Sequence, residues 1–170
     1  IGGTYTGPNV TFNHRIDADF NDKWLLIASP LKQATINNYI NGAQTIVLND
    51  TEDKYSLGTY NDANTAGLKY TYVDNPTPNT TDLFGVGQGY ATKLNNIEEP
   101  TRPKLQFKGK IQDAATVDFP VSSSGNGFNL VGNPYSTWLF ANSSANAYNL
   151  LTVNEAILDL EATIASKSKI

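Results

Sequence analysis

Apolar and polar residues alternate in short runs along this chain, and clusters of turn-forming residues break the runs. Asn9 to Ile16 (NVTFNHRI) places Val10, Phe12, His14 and Ile16 on one side of an extended backbone, the period-two signature of a half-buried strand. Lys23 to Ala28 (KWLLIA) is apolar after its first residue and stops at Ser29-Pro30, as a strand buried on both faces would. Further strands are predicted at Thr45 to Leu48, Leu68 to Val73, Gly89 to Leu94, Leu105 to Lys110, Thr116 to Val121 and Gly127 to Val131. Eight such runs predict an all-β chain, an antiparallel β-sandwich or jelly-roll-like module. Asp74 to Thr81 (DNPTPNTT) and Asn95 to Pro103 (NNIEEPTRP) are polar and Pro-rich, so they read as surface loops.

The periodicity changes once, near the C-terminus. Thr152-Val153-Asn154-Glu155 fits a capping box, in which the Thr hydroxyl and the Glu carboxylate each accept a free backbone N–H. Val153, Ala156, Ile157, Leu160 and Ile164 follow at helical spacing, which predicts one short helix over Val153 to Ala162 packed on the sheet.

Composition supports the β reading and narrows the chemistry. The 170 residues include twenty Asn, eighteen Thr and 13 Gly, with 11% aromatics, so turn and strand formers dominate. At this length one module is expected over residues 1–170. Its longest apolar run, Trp24 to Ala28, falls far short of the ~18 residues of a membrane-spanning helix. A net charge of -4 with Arg at only two positions, Arg15 and Arg102, argues against a nucleic-acid partner. There is no Cys, which excludes thiolate catalysis, disulfides and zinc-thiolate sites, and the single His14 excludes a His-paired metal centre. Ile1 to Gly3 has neither a Met start nor a charged leader region, so the sequence reads as a mature product or an excised piece.

Two segments echo each other 104 positions apart. Trp24-Leu25-Leu26-Ile27-Ala28-Ser29-Pro30-Leu31 aligns with Phe128-Asn129-Leu130-Val131-Gly132-Asn133-Pro134-Tyr135, and each follows a Val-x-Phe strand, Val10-x-Phe12 or Val117-x-Phe119. The shared order suggests two related half-units, a pseudo-repeat around residues 10–31 and 117–135, with Trp24 and Phe128 filling equivalent core positions. Gly127 and Gly132 suit a positive φ or a close backbone approach, and Asn133-Pro134 suits a turn.

The segment Gly127 to Tyr135 (GFNLVGNPY) resembles the G-[WFY]-N-L-[VI]-G-N-P-Y element of secreted cell-surface modules of Bacteroidetes, found upstream of type IX secretion sorting domains. Trp24 to Leu31 is similar to the early W-x-x-[LI]-[AS]-[SN]-P element of that group. Gly87-Gln88-Gly89-Tyr90 resembles its G-[QK]-G-Y element, and Phe107 to Gly109 its F-x-G. The resemblance covers roughly residues 5 to 150. It implies a secreted, cell-surface location and a scaffold or adhesion context, with other domains of the same protein or like subunits as partners. Where that group continues with a Trp-containing strand, this sequence ends in Ala165 to Ile170 (ASKSKI), so it is truncated there or has diverged.

Candidate chemistry is sparse. His14 lies in a predicted strand without GxSxG, SxxK or a second His, and no catalytic residue is assigned. Gly85 to Gly89 lacks the Lys-Ser/Thr of a phosphate loop and precedes a strand, so a bend is expected there. The hexapeptide Asp17-Ala18-Asp19-Phe20-Asn21-Asp22 offers calcium-type oxygen ligands at Asp17, Asp19, Asn21 and Asp22, but has no Gly at the sixth position and no distal Glu. The segment from Tyr55 to Tyr72 combines Tyr55, Tyr60, Tyr70 and Tyr72 with Asn61, Asp62 and Asn64, and Trp138 adds an indole platform. Aromatic faces and amides together are what a glycan site uses. The expectation is a noncatalytic structural or adhesive module of an exported surface protein, with no required cofactor. The alternatives are a carbohydrate-binding module attached to a polysaccharide-active enzyme and a self-assembling filament or sheath subunit.

Overall fold

A computed structural model of the chain describes residues 5–16, 20, 22–42, 46–65, 67–76, 81–94, 104–137, 153, 154 and 156. Among the described residues, seven strands and one short helix follow one another as β1 (Val10–Arg15), β2 (Trp24–Ile27), β3 (Leu31–Lys32), α1 (Ile36–Ile40), β4 (Lys54–Tyr60), β5 (Tyr70–Asp74), β6 (Tyr90–Lys93) and β7 (Lys104–Ile111). They form two antiparallel sheets, ordered β1-β7-β3 and β2-β6-β4-β5, so the fold is the predicted all-β, sandwich-like class. The chain divides into two compact units, Ile1–Ser136 and Thr137–Ile170. Both sheets belong to the first. In the second, Val153 is helical and exposed, and the rest of the predicted helix lies outside the described residues apart from Asn154 and Ala156, which stand in turns.

The core of the first unit draws on both sheets. Leu105 and Phe107 of β7, Leu57 of β4 and Tyr90 of β6 are buried together with Tyr39 of α1, Phe84 and Leu94. The rings interlock: Tyr39 stacks on Phe107 at 5.1 Å, while Phe84 meets Tyr39, Tyr90 and Phe107 edge-on at 5.3, 4.8 and 5.3 Å. Edge-to-face geometry brings positive ring edges onto negative faces, which adds about 0.5–1.5 kcal/mol per pair to the burial itself. Helix α1 is short but capped, with the Thr35 hydroxyl accepting from the Asn38 amide at 3.1 Å.

Several predicted strands are present with shifted ends. β1 shows the expected alternation and pairs with β7, Phe12 opposite Phe107. β5, β6 and β7 correspond to the runs beginning at Leu68, Gly89 and Leu105. Four readings are corrected. Trp24–Ile27 is a strand, but not one buried on both faces: Leu25 and Ile27 point to the core while Trp24 and Leu26 are about half exposed, 50% and 54%. A continuous apolar run conceals the strand's period-two geometry, and β2 is an edge strand with one face open to water. Residues 116–121 and 127–131 form no named strand, only an isolated bridge from Val131 to Gln88. Of the strand predicted at Thr45 to Leu48, Thr45 lies outside the described residues and the rest contributes only bridges, Ile46 with Leu94 and Leu48 with Tyr55. The fourth concerns the echo, since Phe128 is 53% exposed and is therefore not a core counterpart of a buried Trp24. The two echoed segments instead run beside one stretch of backbone. Trp24–Ile27 pairs with Tyr90–Lys93, and Leu130 and Gly132 bond to Gly89 and Gly87 immediately before it. Gly132 makes the expected close approach, because a Cβ there would collide with the side chain of Ala28.

Candidate binding face

Strand β4 was not among the predicted elements, and it organises the site. Its sequence KYSLGTY hides the alternation, since the inward positions are Tyr55, Leu57 and Thr59 and only Leu57 is strongly apolar. Leu57 stands opposite Thr92 of β6, and both are fully buried. The intervening residues, Gly58 and Tyr60, face outward. Tyr72 of β5 is opposite Gly58, which is opposite Ala91 of β6, which is opposite Leu26 of β2. Cross-strand neighbours share a face, so this row and its companions one step along form the outer surface of the four-stranded sheet.

Small residues in the middle of that row let a large ring lie across it. A Cβ on Gly58 would come within 2.8 Å of the Tyr72 ring, so the phenol packs directly against the backbone of β4. Reaching across, its centroid is 5.8 Å from that of Trp24, although β5 and β2 are the opposite edges of the sheet. Tyr70 lies 6.1 Å from Tyr72 with its plane only 22° away, and Tyr60 meets Tyr70 at 5.3 Å. The result is a continuous aromatic row, Trp24, Tyr72, Tyr70 and Tyr60, on the outward face. Ion pairs flank it: Lys93 to Asp22 at 2.8 Å near Trp24, and Lys54 to Asp74 beside Tyr72.

At the Tyr60 end the row meets a cleft of about 110 Å³, bounded on one side by Tyr60 and Asn61 and on the other by Ser122, Ser124 and Phe128. Asp62 ties the two sides together. Its buried carboxylate accepts the Tyr60 hydroxyl at 2.7 Å, the backbone N–H of Asn126 and that of Phe128 at 3.5 Å, and pairs with Lys69 at 3.2 Å. The Tyr60 hydroxyl bond is the largest of the effects that hold Asp62 down at about 2, and the same bond pushes Tyr60 up to about 12, because it favours the anionic carboxylate and the protonated phenol. A carboxylate so surrounded is a structural tie, with its lone pairs committed to donors within the protein.

The structure thus brings together Tyr60, Asn61, Asp62, Tyr70 and Tyr72 from the glycan candidates and separates others from them. Tyr55 lies on the opposite face of β4, packed against the core. The Asn64 amide donates to Leu68 O at 3.3 Å in the turn leading to β5. Trp138 lies outside the described residues, as do Asp17, Asp19 and Asn21 of the calcium candidate. The remaining member, Asp22, has a positive φ and is paired with Lys93. Among the described residues no three His, Asp or Glu side chains converge as a metal-holding group. His14 is half-buried in β1 opposite Leu105, and Gly85 to Gly89 forms the expected bend, closed by Gln88 N to Gly85 O.

Trp24 and the cleft residues Gln88, Ser122, Ser124, Phe128 and Asn129 are among the site residues that the sequence alone did not point to. The signal for Trp24 was available in its spacing from Leu25 and Ile27, the two residues that take the inner face. Comparison of the chain with protein-family models, curated proteins and solved structures finds no match.

Proposed function

We propose that this chain is a noncatalytic adhesive module of an exported bacterial surface protein, and that it attaches through the outer face of its four-stranded sheet. The carrying observation is the solvent-facing row Trp24, Tyr72, Tyr70 and Tyr60. Trp24 and Tyr72 are exposed and Tyr70 and Tyr60 half-buried beside them, so the face presents apolar area that folding alone would place inside, and such patches mark contact surfaces. The surface location rests on the resemblance of Gly127 to Tyr135 and Trp24 to Leu31 to secreted Bacteroidetes modules. The carbohydrate-binding alternative uses this same face, and the row favours it.

The test is retention of the intact chain on a panel of insoluble matrix polymers, protein and polysaccharide alike. Wild-type chain is retained on at least one of them without altering it, and the double variant Trp24→Ala/Tyr72→Ala is folded yet passes through. Equal retention of the two proteins would remove the row from the function. Sedimentation of wild type against the double variant separates attachment from self-assembly, since a filament subunit would lose its oligomers with the row.

A further inference from the structure

Resting on the reading of the aromatic row as an attachment face, we propose that its ligand is an uncharged linear polysaccharide, laid along Trp24, Tyr72, Tyr70 and Tyr60 with one terminal sugar held in the cleft beside Tyr60. A sugar ring has an apolar C–H face and a rim of hydroxyls, so it binds where flat aromatic faces adjoin neutral hydrogen-bonding groups. The row supplies the faces. Tyr72 lies over Gly58 and is 36% exposed, Trp24 is half exposed, and Tyr70 stacks beside Tyr72 with their planes 22° apart, successive rings of the row standing 5.3 to 6.1 Å from one another. The phenol hydroxyls of Tyr70 and Tyr72 have no partner among the described residues, leaving them to a ligand's hydroxyls.

The cleft determines the charge class. Its polar lining is made of amides and hydroxyls, Asn61, Gln88, Ser122, Ser124 and Asn129, over the rings of Phe119 and Phe128. No Lys or Arg is among the described lining residues, so an acidic sugar would meet no cation in the cleft, and the two lysines that flank the row, Lys54 and Lys93, are already paired with Asp74 and Asp22. Asp62 is the single carboxylate among the described lining residues, and Tyr60, Lys69, Asn126 and Phe128 occupy it, so it attracts no cationic ligand either. Tyr60 belongs both to the row and to the cleft, which makes the two a continuous surface. The shallow row with a small terminal pocket suits an extended chain end better than a globular partner, whose broad contact would leave the cleft unfilled.

Calorimetric titration of the intact chain with cello-, xylo- and mannohexaose, and with hexagalacturonate as the acidic counterpart, tests this. Saturable binding of at least one neutral hexaose is expected, with the corresponding disaccharide at least about tenfold weaker, the equivalent of one lost stacking contact. Trp24→Ala and Tyr72→Ala each lower the affinity about tenfold on the same grounds, and Ser124→Phe, which fills the cleft from an exposed position, does so with Trp24, Tyr72 and Tyr70 intact. Hexagalacturonate binding as tightly as the neutral chains would overturn the charge assignment, and full affinity in Trp24→Ala would overturn the site. Unchanged binding by Ser124→Phe would overturn the terminal pocket. Absence of any oligosaccharide binding, with retention on a protein matrix still lost in the double variant, would overturn the sugar inference while leaving the attachment face standing; loss of both would remove both. Dimers that dissociate on Trp24→Ala would make a second copy the occupant in place of the polysaccharide.

Discussion

The molecule builds two aromatic clusters from similar residues and uses them in opposite ways. Tyr39, Phe84, Tyr90 and Phe107 interlock edge to face, and their relative exposures run from 1% to 5%. Trp24, Tyr72, Tyr70 and Tyr60 lie side by side across an outward face, with Trp24 and Tyr72 exposed to 50% and 36%. The first cluster is closed on every side, so each ring is held by its neighbours and contributes chiefly to stability. The second is supported from below, where Gly58 carries Tyr72, and leaves Trp24 and Tyr72 exposed to solvent. Aromatic content therefore says little about role; which face of which strand carries the ring decides it.

The sharpest way to break this contrast is to shorten a ring in each cluster. Phe84→Ala removes a side chain that touches three others in the core, and about 3–5 kcal/mol of unfolding free energy should be lost in a denaturant titration. A loss below about 1 kcal/mol would mean that the inner cluster is no more closed than the outer one.

Gly58→Ala acts on the outer row from beneath. The new Cβ would lie 2.8 Å from the Tyr72 ring and 2.9 Å from the Thr71 carbonyl oxygen, so either the phenol lifts or β5 moves away. Destabilisation of about 1–3 kcal/mol is expected, as for overpacking elsewhere, together with shifted Tyr72 ring resonances in NMR spectra. Unchanged resonances would show that Tyr72 does not rest on β4.

Asp62 links the two sides of the cleft, and its effect is visible through pH. Its folded pKa is lowered from 3.8 to about 2, so the folded state holds its proton less readily than the unfolded chain does. Stability from this group is therefore fully present above about pH 4 and is lost as pH falls toward about 2. Asp62→Asn should lower stability at neutral pH and flatten the acid-side decline in that window when melting temperature is followed against pH. A variant with the same acid slope as wild type would place the titration elsewhere.

The smallest expected change is in Trp24→Ala. Half its surface is already in water, so it should cost about 1 kcal/mol or less by the same denaturant titration, while the affinity for the ligand falls about tenfold. A cost comparable to Phe84→Ala would restore Trp24 to the core and end the contrast.

Local pattern determined the all-β class, the positions of β1, β5, β6 and β7, the bend at Gly85 to Gly89 and the Tyr-rich segment on which the binding face stands. These follow from period-two alternation and turn chemistry, both of which act within a few residues. The placement of Trp24 outside the core, the separation of Tyr55 from Tyr60 and the existence of β4 were decided by tertiary pairing. A run such as WLLI has no polar residue to mark its wet face, and only the register with β6 and the position at a sheet edge assign one. KYSLGTY conceals a strand because Gly58 interrupts it, and that Gly is useful only once Tyr72 from a neighbouring strand lies over it. The cleft needed still more distant partners: Asp62 meets the amides of Asn126 and Phe128 across more than sixty residues, and no local pattern encodes which loop a carboxylate will fasten.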